Sequence, residues 1–122
     1  MTSITFEESL TMIDKFGELR LVGIQYIIFD DPKSVYNHKS LKTFYAPDLI
    51  NIKSPATTSR LTFAGEYIQH ICILKFCGIV DVCGATKLEQ LSLLDANRLV
   101  LTDYQNFTVR CCNKPGLNDC LG

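Results

Sequence analysis

Tyr67-Ile-Gln-His-Ile-Cys-Ile-Leu-Lys-Phe-Cys-Gly-Ile-Val-Asp-Val-Cys83 is the most apolar stretch of the chain, and its reading decides the fold. It is rich in Ile, Val, Phe and Tyr, residue types that suit a pleated surface. Taken with period two, Ile68, His70, Cys72, Leu74 and Phe76 share one face. Tyr67, Gln69, Ile71, Ile73, Lys75 and Cys77 share the other. The first face is almost wholly apolar and the second is apolar in its centre, which predicts a central strand covered on both sides. Gly78 interrupts the alternation and marks a bulge or turn, with a second strand over Ile79 to Cys83. Lys75, Asp81 and His70 make the run a poor membrane span, which needs about 20 nearly uncharged residues.

Upstream, Thr5-Phe6-Glu7-Glu8 has the form of a capping box, and Phe6, Leu10 and Ile13 then fall on one helical face. A helix over about 6–16 follows, with Gly17 as its stop. Glu18 to Phe29 reads as one strand whose pattern slips at Gly23, where a bulge would absorb the slip. Lys33 to Ser40 reads as a basic loop, and Leu41 to Tyr45 and Asp48 to Lys53 as short strands. Ser54 to Ser59 is a proline-broken loop, and Arg60 to Ala64 another strand leading to a turn at Gly65-Glu66.

Downstream, Thr86-Lys87-Leu88-Glu89 repeats the capping form, and Leu88, Leu91 and Leu94 suit a helix over about 87–97. Arg98 to Thr102 and Asn106 to Cys112 read as a hairpin around Asp103-Tyr104-Gln105. No internal repeat is evident. The sum is an α+β fold: a mainly antiparallel sheet of short strands with two covering helices. It is expected as a single compact domain over 1–112, with a turn-rich tail over 113–122.

A chain of 122 residues is long enough to bury a core without covalent staples. Glu7 and Glu8 stand where the apolar part of a signal peptide would be, so a cytoplasmic, reducing location is expected and the six cysteines are expected as thiols. Net charge is −1 but segregated: −4 over residues 1–32, +4 over 33–60 and −1 over the remainder. Such segregation hints at a partner surface.

Three constellations bear on chemistry. His70, Cys72, Cys77 and Cys83 are candidate metal ligands, but gaps of four and five residues between the cysteines are wider than zinc pairs commonly use. Buried core thiols are the expected reading, with no cofactor. A thiol nucleophile would draw on Cys111 or Cys112, His38 or His70, and Asp81 or Asp103, without any local signature around them. In the basic segment, Lys33, Lys39, Lys42, Lys53 and Arg60 alternate with Tyr36, Phe44 and Tyr45, a mixture that suits single-stranded nucleic acid or an anionic surface. Phosphate-cradling glycine motifs are absent. Asp81, an acid within an apolar run, is expected at an exposed strand end.

With no catalytic motif complete, the chain reads as a small non-enzymatic module that binds a protein partner or itself. Its size suits a virus-encoded accessory or structural protein. Nucleic-acid binding through 33–60 is the alternative, and a small zinc-binding or thiol-dependent enzyme the further one.

Overall fold

The computed structural model describes residues 2–102 and the backbone of 108–111. Within them β1 (Ser3–Thr5), β3 (Tyr26–Ile28) and β6 (Asn51–Lys53) form a three-stranded sheet. A five-stranded sheet holds β2 (Glu18–Arg20), β5 (Thr43–Tyr45), β8 (His70–Ile73), β10 (Gln90–Leu93) and β12 (Thr108–Cys111). The third has four strands: β4 (Val35–Tyr36), β7 (Arg60–Ala64), β9 (Ile79–Cys83) and β11 (Arg98–Thr102). All the strand pairings are parallel. Strands adjacent in sequence lie in different sheets, so the chain winds from wall to wall and each coil stacks on the last as a β-solenoid.

This overturns the expected α+β fold with its antiparallel sheet. Helix α1 (Phe6–Thr11) is the one helix among the described residues, and it is short. Its capping box forms as expected: Thr5 Oγ1 accepts from the Glu8 amide at 3.2 Å, and Glu8 Oε1 from the Thr5 amide at 3.4 Å. The helix stops before 16 because the chain must turn back into β2. Asp14 Oδ1 accepts from the Phe16 and Glu18 amides at 2.8 and 3.0 Å, and Gly17 enters the strand at φ +80°. The second expected helix, 87–97, contains β10 instead. Its helix-like spacing was an accident of a corner running into a strand: Leu88, Leu91 and Leu93 are buried, whereas Leu94 is only half-buried.

Other boundaries change for the same reason. Glu18 to Phe29 is two strands in two sheets, with a corner rather than a bulge at Gly23. The central run divides likewise between β8 and β9, and β8 buries one face only, through Ile71 and Ile73. The loop over 33–40 contains β4. β11 and β12 belong to different sheets, so they are no hairpin; its expected turn at 103–105 and the tail from Asn113 lie outside the described residues. The strands at Arg60–Ala64 and Ile79–Cys83 have the expected bounds.

A repeat does exist. Leu41-x-x-Phe44-x-Ala46-x-x-Leu49, Ile68-x-x-Ile71-x-Ile73-x-x-Phe76 and Leu88-x-x-Leu91-x-Leu93-x-x-Ala96 carry the same spacing, and all twelve residues are at most 4% exposed. In register they build interior columns such as Leu19–Phe44–Ile71–Leu91. On the four-stranded wall Tyr36, Phe63 and Val82 form another. Unequal coils hide the period: Thr43 pairs with His70, 27 positions on, but His70 pairs with Gln90, only 20 on. The later coils are shorter because the three-stranded wall ends at β6. Past it the chain crosses in a stacked corner, where the Cys77 amide donates to Ile50 O, and the Asn97 amide to Gly78 O.

The first coil is closed by α1. Ser9 is buried; its hydroxyl donates to Phe6 O at 2.6 Å and so accepts from the Tyr36 hydroxyl at 2.7 Å. Burial drives the Tyr36 phenol far above its ordinary pKa, with the Ser9 bond a smaller opposing influence, so it stays protonated as the donor. Phe6, Phe29, Tyr36, Phe44 and Phe63 pack ring to ring at 4.8–5.8 Å and join the cap to two coils. Among the described residues, no helix is long and apolar enough to cross a membrane.

Phe44 is fully buried and packs against both Tyr36 and Phe63, so Phe44→Ala is expected to cost about 3–5 kcal/mol in urea denaturation. Gly78→Ala is a sharper test of coil stacking. A Cβ there would lie 2.6 Å from Ser59 O, so a loss of about 1–3 kcal/mol is expected; unchanged stability would contradict the described approach of the two coils.

Candidate functional site

Among the described residues, the five-stranded wall holds the most strands. Because strand side chains alternate, residues between the interior positions face outward, and parallel register lines them up. Glu18, Thr43, His70 and Gln90 form one such row; Arg20, Tyr45, Cys72 and Ser92 form the next. Neighbouring members stand about 4.8 Å apart, the spacing of paired strands.

Between the rows lies a cleft of about 180 Å³, lined by Thr43, His70, Cys72, Gln90 and Ser92, with Phe44 and Ile71, whose side chains are interior, between them. His70 Nε2 is 3.2 Å from Glu89 Oε2, which steadies the imidazole at the cleft edge. The Arg20 guanidinium lies 5.3 Å from the Tyr45 ring centre and its Nε donates to Glu18 Oε1 at 3.2 Å. A hydroxyl, an amide, an imidazole and a thiol thus share one shallow surface, able to donate and accept hydrogen bonds without a dominant charge. Burial pushes the Cys72 thiol up, which keeps it protonated near neutral pH.

The candidate metal ligands divide. His70 and Cys72 share a face of β8, whereas exposed Cys83 ends β9 on another wall and exposed Cys77 lies in a corner, its thiol 3.4 Å from Ile50 O. Among the described residues, no three His, Cys, Asp or Glu side chains gather closely enough to hold a metal ion. Of the residues weighed for thiol chemistry, His38 lies in the turn between β4 and β5, accepting from the Ser40 amide, and His70 and Asp81 are on different walls. Cys111 is placed in backbone only, and Cys112 and Asp103 lie outside the described residues.

The basic and aromatic segment is wound around the molecule, because one coil takes about as many residues as the segment holds. Tyr36 and Phe44 are core residues at 1% and 0% exposure, so their rings are not offered to solvent. Tyr45 belongs to the five-stranded wall and Lys53 to the three-stranded wall, over Tyr26. Arg60, on the four-stranded wall, donates to Asp81 Oδ2 at 2.6 Å. Lys33 and Lys39 are in turns, and Lys42 leads into β5. Asp81 is therefore mid-strand and ion-paired, not at a strand end. What sequence reasoning missed were Thr43, Gln90 and Ser92. Their signal was the polar position inside each Leu-x-x-Leu-x-Leu unit, readable once the repeat is seen.

Alkylation offers a check on the thiols. Iodoacetamide at pH 7.5, followed by peptide mass mapping, is expected to modify exposed Cys77 and Cys83 well before Cys72, whose thiolate is suppressed by burial. Cys72 reacting first would contradict the described environment. Comparison of the chain with protein-family models, with curated proteins and with solved structures finds no match among any of them.

Proposed function

We propose that the chain is a protein-recognition solenoid, and that its partner lies across the outer face of the five-stranded wall. The observation that carries this is the pair of in-register rows there, which set Tyr45 and Arg20 on the same wall as the cleft that His70 lines. Aromatic and arginine side chains are the types that dominate binding energy at protein interfaces. Stacked-repeat proteins in general use such continuous walls as extended binding surfaces. The Leu-x-x-Leu-x-Leu spacing also resembles that of leucine-rich repeats, a likeness of pattern offered as analogy.

The test is capture from extract with immobilised protein in three forms: wild type, the double variant Tyr45→Glu/His70→Glu, and Lys53→Glu on another wall. The double variant is expected to lose its partner by about tenfold or more, while Lys53→Glu retains it. Equal capture by all three, or loss with Lys53→Glu alone, overturns the assignment to this face.

Self-association is the second reading, favoured by Phe16. Phe16 heads the spacing occupied by Leu41, Ile68 and Leu88, which are at most 4% exposed, yet it is 66% exposed. Val22 and Met12, in the same first coil, are also exposed. Light scattering across a concentration series is expected to give a rising mass for wild type and a constant monomer mass for Phe16→Glu. A wild-type monomer throughout removes this reading.

A further inference from the structure

A second cavity, of about 320 Å³, opens between α1 and the corner that joins β3 to β4. Its apolar side is made by half-buried Phe6 and Val35, with Phe29, only 4% exposed, stacked behind the Phe6 ring at 5.0 Å between centroids. Its rim carries Glu7, Asp30 and Asp31 against a single cation, Lys33. Carboxylates alone would describe any solvated rim. An aromatic floor beneath them, in a cavity roomy enough for a whole headgroup, gives this one a specific chemistry.

The carboxylates have different duties. Glu8, the neighbour of Glu7, is occupied in the capping box. Asp31 holds the corner: its Oδ1 accepts from the Lys33 amide at 2.8 Å and its carbonyl from the Ser34 amide at 3.3 Å. Glu7 and Asp30 are exposed and make no side-chain hydrogen bond or ion pair with the described residues. The corner is costly to hold, since Ser34 adopts φ +52° and its buried Oγ finds no partner among the described residues.

We propose that this cavity binds an organic ammonium group, with methylated nitrogen against the half-buried Phe6 ring and the charge balanced by Glu7 and Asp30. The electron-rich faces of aromatic rings attract such cations, and methyl groups lower the cost of removing them from water. The net charge of the rim opposes anions and leaves neutral apolar ligands with no electrostatic gain. The headgroup can belong to a free small molecule or to a methylated lysine of a peptide, and both present the same chemistry.

The test is a titration of isotope-labelled full-length protein, followed by amide NMR shifts. The probes are choline chloride, its uncharged carbon isostere 3,3-dimethylbutan-1-ol, and an N-acetylated trimethyllysine amide. Choline is expected to shift resonances of residues 6–7 and 29–35 with a millimolar Kd, at least tenfold tighter than the isostere. Glu7→Gln and Asp30→Asn, with otherwise unchanged spectra, are each expected to weaken choline severalfold. Tighter binding of the trimethyllysine amide than of choline assigns the peptide source; equal or weaker binding assigns the free cation. No shifts with choline up to about 50 mM, or equal affinity for choline and its isostere, overturns the proposal.

Discussion

Register between coils is the constraint on which everything else depends. A parallel ladder repeats at about 4.8 Å, so whatever one coil points inward must meet its counterpart in the next. Leu19, Phe44, Ile71 and Leu91 satisfy that demand on one wall, and Tyr36, Phe63 and Val82 on another. Three-residue strands such as β2 and β5 have little stability of their own; the columns behind them supply it. The polar rows of the outer face are the other side of the same arrangement. A one-residue slip in β8 would send His70 and Cys72 inward and expose Ile71, so the core fixes the cleft as firmly as it fixes itself.

The ends of the stack show how the first coil avoids a bare edge. β2 is the outermost strand of its sheet, and Asp14 covers its open side by accepting from the Glu18 amide and donating its own amide to Glu18 O. A loop that imitates a strand in this way lowers the risk of uncontrolled pairing with another chain. Ser9 and Phe6 meanwhile tie α1 to Tyr36, so the cap is held by a buried hydrogen bond as well as by aromatic packing.

Local features were legible in the sequence where chemistry is local. Thr5 and Glu8 announced their capping box, and the alternation of Leu61 and Phe63 with polar Arg60 and Thr62, like the β-branched run at Ile79–Cys83, announced strands. Direction was not legible. Parallel and antiparallel strands share the same alternation, and the corners at Gly23 and Gly78 resemble bulges until the walls they join are known. Leu88, Leu91 and Leu94 mimic a helical face because Leu88 belongs to the corner ahead of β10, Leu91 to its buried face, and Leu94 lies just past its end. Period two also told that His70 and Cys72 share a face, without saying which face was outside. The pairing of Arg60 with Asp81, and of Phe6 with Phe29, joins positions more than twenty apart, which no local pattern reveals.

The unequal coils carry a consequence for how such a chain can change over generations. Paired positions are separated by 27 residues between β5 and β8, and by 18 between β10 and β12, yet both ladders close in parallel register. The difference is absorbed in the corners. Codons gained or lost there lengthen or shorten a loop and leave the columns untouched, whereas the same event inside a strand inverts its faces. Inheritance can therefore edit this molecule's outline freely while its interior spelling stays fixed, and new contacts can arise at a corner without the fold being tested each time.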